Sequence, residues 1–225
     1  MKKCLNVCQV SLRENIQIIE ENLIKFNKFY NTTNFYIICP SKEVQFFKNK
    51  LKFNNIKIIN EKKIINFKEF KKFANLYLKN TNYKNQIQNR LSWYYQQVLK
   101  ISFILDFVIK NKEPMIIWDA DTIILKKIKF FNNDASVRYG TTGEFHKAYY
   151  LTNYKILREL PKYYISSLTQ FTSLNYSEAK YLHNKINKNI KKKDKTSIWL
   201  TKVIFKSLVS AHTIYNGSMF SEYEL

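Results

Sequence analysis

The segment MIIWDADTIIL (115–125) decides how the rest of the chain is read. Four apolar residues, Met115 to Trp118, run into Asp119, Ala120 and Asp121, and apolar character resumes at Ile123. A short, fully apolar run bounded by polar residues suits a strand buried on both faces of a parallel sheet. Upstream of it, a helical pattern from Ser92 to Lys110 places Tyr94, Val98, Ile101, Leu105 and Val108 on one face, and Pro114 marks its end. The same alternation extends back to the N-terminus. LNVCQV (5–10), FYIIC (35–39) and IKII (56–59) read as strands. Ile16, Ile19, Leu23, Phe26 and Tyr30 make a helical stripe, as do Phe67, Phe70, Phe73 or Ala74, and Tyr77. A helix from Ser41 to Leu51, with Ser41 as its cap, fills the remaining gap. This rhythm predicts an α/β fold with a mostly parallel central sheet and helices on both faces. The polar stretch 80–89 reads as a surface connection. Further on, a strand at 135–141 and helices at 153–160, 177–190 and 197–208 are expected, with Ser177 as a candidate cap.

Bulk properties narrow the function classes. The 225 residues are 45% hydrophobic and 16% aromatic, enough for a real core, and no apolar run approaches the roughly 20 residues needed to cross a bilayer. The basic start MKKCLNVCQV carries too short and broken an apolar stretch for a signal peptide and reads as the first strand. Three cysteines, Cys4, Cys8 and Cys39, form no paired framework and suggest reduced thiols in a cytoplasmic protein. With only three glycines, at 140, 143 and 217, neither a GxGxxG fingerprint nor a Walker A loop can be built. The formal charge of +21 invites a nucleic-acid reading. The abundance of Lys, Asn, Ile, Phe and Tyr, all with A/T-rich codons, supplies a duller cause. A basic surface also suits anionic donors and the negatively charged inner leaflet of a membrane. The run Lys191, Lys192, Lys193 is read as a solvated loop.

The chemistry concentrates at the acidic pair, for which a solvated turn at a strand end is the alternative reading and the apolar strand before it and the βαβ context favour the functional one. In an extended chain, residues two apart point the same way with α-carbons roughly 6–7 Å apart, so Asp119 and Asp121 can converge on one cation at the end of a central strand. Small Ala120 between them permits close approach to the backbone. Oxygen ligands suit Mg²⁺ or Mn²⁺, and such an ion stabilises the charge on a nucleoside diphosphate leaving group. Phosphatases of the haloacid dehalogenase type also place a DxD after an apolar strand, but theirs lies near the chain start with Thr or Val two places on, where this chain has Ile123.

Two further constellations stand out. In RLSWYYQQVLK (90–100), Gln96, Gln97 and Lys100 can share one helix face. On spacing alone they read as a solvated stripe, with donor contact as the functional alternative. In MFSEYEL (219–225), Glu222 and Glu224 alternate with aromatics, as in a terminal strand.

Taken together, WYYQQVLK (93–100), IIWDADTI (116–123) and FSEYE (220–224) resemble a family of bacterial glycosyltransferases linked to capsule and lipooligosaccharide synthesis. YIICP (36–40) and INEKKII (59–65) extend the resemblance toward the start. The resemblance implies a single GT-A (Rossmann-like) domain over residues 1–225, with 1–125 as a nucleotide-sugar-binding half and 126–225 as an acceptor half. Asp119 and Asp121 would bind metal and, with Ala120, the donor. Gln96, Gln97 and Lys100 would line the donor pocket. Glu222 would face the acceptor, as a base or an orienting group. His146 and Gln170 are weaker acceptor-side candidates, and His212 a candidate third metal ligand. The expected partners are a UDP-linked or similar nucleotide-sugar and a glycan or glycolipid acceptor, at a cytoplasmic location with peripheral contact to the inner membrane. Family members continue past the SEYE segment, whereas this chain stops at Leu225. That departure keeps open a truncated, catalytically impaired transferase, beside the alternative of a basic nucleic-acid-binding protein.

Overall fold

The computed structural model describes residues 4–30, 33–79, 81–82, 84–132, 147–159, 171–187, 194–212 and 219–220. In chain order the elements are β1 (Leu5–Val10), α1 (Ile16–Phe29), β2 (Thr33–Cys39), α2 (Val44–Lys50), β3 (Ile56–Asn60), α3 (Phe67–Leu78), α4 (Lys84–Gln88) and α5 (Leu91–Asn111). They continue with β4 (Met115–Trp118), α6 (Lys147–Leu157), β5 (Phe171–Leu174), α7 (Tyr176–Asn187) and α8 (Thr196–His212). The five strands form one sheet in the order β3-β2-β1-β4-β5. The pairs β3/β2, β2/β1 and β1/β4 are parallel, and β5 joins β4 antiparallel. The α/β class with a mostly parallel sheet is thus the one expected. Strand β5 was not foreseen, because FTSL is only four residues long with a single β-branched side chain and no alternation of apolar and polar positions.

The strands sort their side chains by face. Val7, Phe35, Ile37, Ile116 and Trp118 pack with Ile19, Leu23 and Phe26 of α1 and Phe47 of α2. Phe26 sits at the centre, edge-on to both Phe35 and Trp118 at 5.3 Å. Burying a side chain of this size is worth about 1.5–3 kcal/mol, so the cluster anchors α1 on the sheet. On the opposite face Tyr36 meets Phe103 and Phe107 of α5, with ring centroids 5.6 and 5.0 Å apart. Covered on both sides, β1, β2 and β4 need the near-continuous apolar runs that made them legible.

The chain divides into two compact units that interleave in sequence. The first comprises Met1–Ile64, Phe103–Tyr139 and Gln170–Ala179 and holds the sheet. The second comprises Ile65–Ser102, Gly140–Thr169 and Lys180–Leu225. In the second unit Phe70 of α3 contacts Phe205 of α8 at 5.6 Å and Tyr95 of α5 at 5.2 Å, and the Tyr95 hydroxyl donates to the Ile65 carbonyl at 2.7 Å. These units follow a different partition from the functional halves suggested by the resemblance.

Helix ends refine the sequence reading. Ser41 caps nothing: its hydroxyl donates to the Asn60 side-chain oxygen at 2.8 Å, and a short 3-10 turn, Ser41–Glu43, precedes α2. Ahead of α7 the cap is Asn175, not Ser177. Asn175 Oδ1 accepts the Glu178 N–H at 3.0 Å, and Glu178 returns a carboxylate to the Asn175 N–H at 3.1 Å, a reciprocal capping box. The stretch read as a surface connection contains the single-turn helix α4. The strand expected at 135–141 lies outside the described residues, as does the Lys191–Lys193 run.

Candidate functional site

Strand β4 stops at Trp118, and the acidic residues that follow are not extended. The Thr122 N–H donates to the Asp119 carbonyl at 3.3 Å, which closes a β-turn with Ala120 and Asp121 at its two central positions. The geometry expected of a straight strand, with alternate residues on one side, is therefore replaced by a turn. A tight turn keeps its first and last α-carbons, here those of Asp119 and Thr122, within about 7 Å, with Asp121 between them. Asp119 is half-buried, Ala120 buried and Asp121 exposed. The Thr122 hydroxyl donates to Asp121 Oδ1 at 3.4 Å.

The turn replaces the strand because groups on α1 and at the end of β4 bind its return leg. Asn22, completely buried on α1, donates from Nδ2 to the Thr122 carbonyl at 2.7 Å. Its Oδ1 accepts the Ile124 N–H at 2.9 Å. The Trp118 indole N–H donates to the same Thr122 carbonyl at 2.9 Å. Past the turn, residues 123–130 run as a strap along α1. The strap is fastened again at Tyr30, whose hydroxyl donates to the Ile128 carbonyl at 2.7 Å and accepts the Ile128 N–H at 2.9 Å. Burial of Tyr30 pushes its hydroxyl pKa up, so it stays protonated for this double role.

The location matters as much as the turn. β1 connects onward to β2 on one side, while β4 lies on its other side, so the order of the sheet reverses between β1 and β4. Beyond β1 the backbone follows β2, with the Ser11 N–H on the Ile38 carbonyl at 2.9 Å. Beyond β4 it leaves for α1. The region outside the carboxyl ends of parallel strands at a switch point is where open α/β sheets bind ligands. Arg13 stands exposed after β1. Its backbone N–H is held by the buried Glu43 carboxylate at 2.9 Å, and its guanidinium lies 5.5 Å from the Phe46 ring centre. At the end of β1, Gln9 is completely buried and neither atom of its amide has a hydrogen-bond partner among the described residues.

Reading the sequence missed Asn22, Arg13 and Gln9. A signal for Asn22 existed: it lies three residues after Ile19 and four before Phe26, on the apolar stripe of α1, where a polar side chain has to be satisfied internally. Arg13 carried no signal, being one cation among many.

The second constellation contradicts the solvated-stripe reading. On α5, Gln97 is 2% exposed and Lys100 5%, with Gln96 half-buried. A lysine is almost never this buried unless its charge is met, and both Gln97 and Lys100 interact with neighbouring groups. His212 is buried in the second unit with Nε2 3.1 Å from Gln86 Oε1, and burial holds its pKa below the usual histidine value. His146, Gln170 and Glu222 lie outside the described residues. Among the described residues no group of three or more His, Cys, Asp or Glu side chains is gathered for a metal ion. The thiols are not poised for chemistry. Burial, then the charges of Glu43 and Glu61, push Cys39 up to about 12, and Cys8 is buried. Among the described residues no helix is long and apolar enough to cross a membrane.

Compared with known proteins, residues 9–225 match the profile of a family of unknown function, DUF6492. No curated protein matches the chain in sequence. Among solved structures, the PaToxG glycosyltransferase superposes with a TM-score of 0.39 at 16% identity, over 96% of this chain and 69% of that one. At that level the likeness carries nothing about activity.

Proposed function

The chain belongs to the DUF6492 family, and from the geometry of its acidic turn we propose that it is a metal-dependent glycosyltransferase that takes a sugar from a nucleoside-diphosphate donor. One observation carries the reading. Two carboxylates, Asp119 and Asp121, stand in a pinned turn at the carboxyl end of a central strand, beside the switch point of the sheet. The donor set fits a hard divalent ion. Two oxygen-bearing side chains from the protein leave most of the coordination sphere to water and phosphate oxygens, as is usual for Mg²⁺ and workable for Mn²⁺. Bound there, the ion would offset charge growing on a departing nucleoside diphosphate.

The chain's own residues divide the remaining work. Asp119 and Asp121 hold the ion, and Asn22, Trp118 and the Thr122 backbone hold the turn. Buried Ala120 keeps that part of the turn small. Arg13, exposed beyond the neighbouring strand, is suited to a diphosphate. Gln96, Gln97 and Lys100 stay donor-binding candidates on their chemistry alone. Glu222 stays the candidate for the acceptor side, with His146 and Gln170 behind it. A UDP-linked hexose or hexosamine and a bacterial surface glycan are the first substrates to try.

Calorimetric titration of UDP tests the reading, with and without Mn²⁺, on wild type and on Asp121→Ala. Removing either the ion or the carboxylate should weaken UDP by at least about tenfold, since a lost charge-assisted contact is worth about 1.5–3 kcal/mol. UDP affinity indifferent to both removals would end the proposal, provided that circular dichroism shows the variant folded.

A further inference from the structure

The strap that leaves the acidic turn has an outer face that the catalytic reading does not use. Residues 123–130 read IILKKIKF. Ile124 and Phe130 are buried, and Ile128 is half-buried against the α1 side of the sheet. Leu125 points the other way and is 80% exposed, the most exposed large apolar side chain among the described residues. Around it Lys126, Lys127 and Lys129 are all exposed, and no acidic residue occurs from Thr122 to Asn132. The strap is not a slack loop. Asn22 fastens it at Thr122 and Ile124, and Tyr30 fastens it at Ile128, so the leucine and the three cations are presented on a fixed backbone.

The far end of the strap adds an apolar hollow. A cavity of about 510 Å³ lies beside it, with Leu5, Tyr30, Phe130 and Phe131 in its wall and Lys127 and Lys129 among its lining residues. A single exposed leucine on a soluble surface is unremarkable. A pinned leucine inside a lysine cluster, on a strap whose far end borders an apolar hollow edged by two of the same lysines, is a combination with a physical target.

We infer that the strap Leu125–Lys129 is a docking surface for a membrane rich in anionic phospholipid. The three ammonium groups meet headgroup phosphates, and Leu125 enters the boundary between headgroups and acyl chains. The net charge of +21 adds long-range attraction to the same surface. Nucleic acid would satisfy the lysines but would leave Leu125 and the hollow without a counterpart, so a lipid surface fits more of the observed features. The inference stands apart from the transferase reading, since it uses neither Asp119 nor Asp121.

Co-sedimentation tests it, using the full chain with vesicles of phosphatidylcholine alone and of phosphatidylcholine mixed equally with phosphatidylglycerol. Wild type should pellet with the mixed vesicles and not with the neutral ones. A lysine near an anionic surface is worth about a fivefold gain in partitioning, so Lys126→Glu/Lys127→Glu/Lys129→Glu should lose about a hundredfold or more. Leu125→Ser should lose about tenfold on vesicles while leaving retention of a single-stranded oligothymidine unchanged. Asp121→Ala should pellet like wild type, which separates this test from that of the transferase. Equal binding to both vesicle types, or an unaffected triple-lysine variant, overturns the inference. So does a Leu125→Ser variant that still binds the mixed vesicles fully, because the strap is then a general polyanion site.

Discussion

Two buried amides in the same unit behave in opposite ways. Asn22, in the middle of α1, uses both ends of its amide on backbone groups of the segment that follows β4. Gln9, at the end of β1, is just as buried and among the described residues has a hydrogen-bond partner for neither end. A satisfied buried hydrogen bond contributes about 1 kcal/mol, whereas an orphaned buried polar group costs about 1–3 kcal/mol. Asn22 is therefore a fastener, and Gln9 is a burden on stability that lies on the strand next to the acidic turn. The difference teaches where to look for function in this unit: at the turn that is actively held, and at the neighbouring strand end whose polar group is left over.

Three measurements can break or sharpen that contrast. The largest effect is expected from Asn22→Leu, which strips the Ile124 N–H of its acceptor and the Thr122 carbonyl of one of its two donors. Urea unfolding should show a loss of about 2–4 kcal/mol, and Mn²⁺-dependent UDP affinity should fall with it. A loss below about 0.5 kcal/mol, within the range of ordinary surface substitutions, would remove Asn22 from its role as fastener. Gln9→Met should go the other way and gain about 1 kcal/mol, because an apolar side chain of similar volume no longer buries an unpaired amide. If Met instead lowers stability, Gln9 has a polar counterpart in solution and the contrast dissolves.

The smallest effect concerns a buried group that titrates. Burial lowers the pKa of His212 in the folded protein. As the pH falls below about 6.5, the unfolded chain takes up the proton first, so folded-state stability drops with acid and is regained toward neutral pH. Melting curves of wild type and His212→Gln should therefore differ by a constant amount above pH 7 and converge as the pH falls. A separation independent of pH would show that His212 titrates normally.

Much of the fold was legible, for a definite reason. β1, β2, β3 and β4 are short, largely apolar runs flanked by polar or turn-forming residues, and α1, α3 and α5 carry apolar stripes, that of α1 interrupted at Asn22, so period and punctuation agreed. β5 was hidden because its strand character comes from pairing with β4, not from its own four residues. At the candidate site the pair Asp119 and Asp121 was visible by position, because two carboxylates directly follow an apolar run that reads as a buried strand. Its shape was not, because the turn is imposed by a side chain on another element. The burial of Gln97 and Lys100 was equally out of reach: spacing puts them on one helix face without saying what covers that face.

The fastening of the turn also dictates an order of assembly. Asn22 and its partner Thr122 are 100 positions apart, and Tyr30 reaches Ile128 across 98. Contacts so distant in sequence form late, because the intervening chain has to be closed before they repay anything. On the ribosome α1 is made early, with its buried face and its asparagine still waiting for a segment not yet synthesised. The acidic turn acquires its shape only when β4 slots in beside β1 and the strap settles along α1. A nascent or locally opened chain would therefore lose the geometry of the acidic turn before it lost its first helix, so the turn can serve as an internal report on whether the whole sheet has closed.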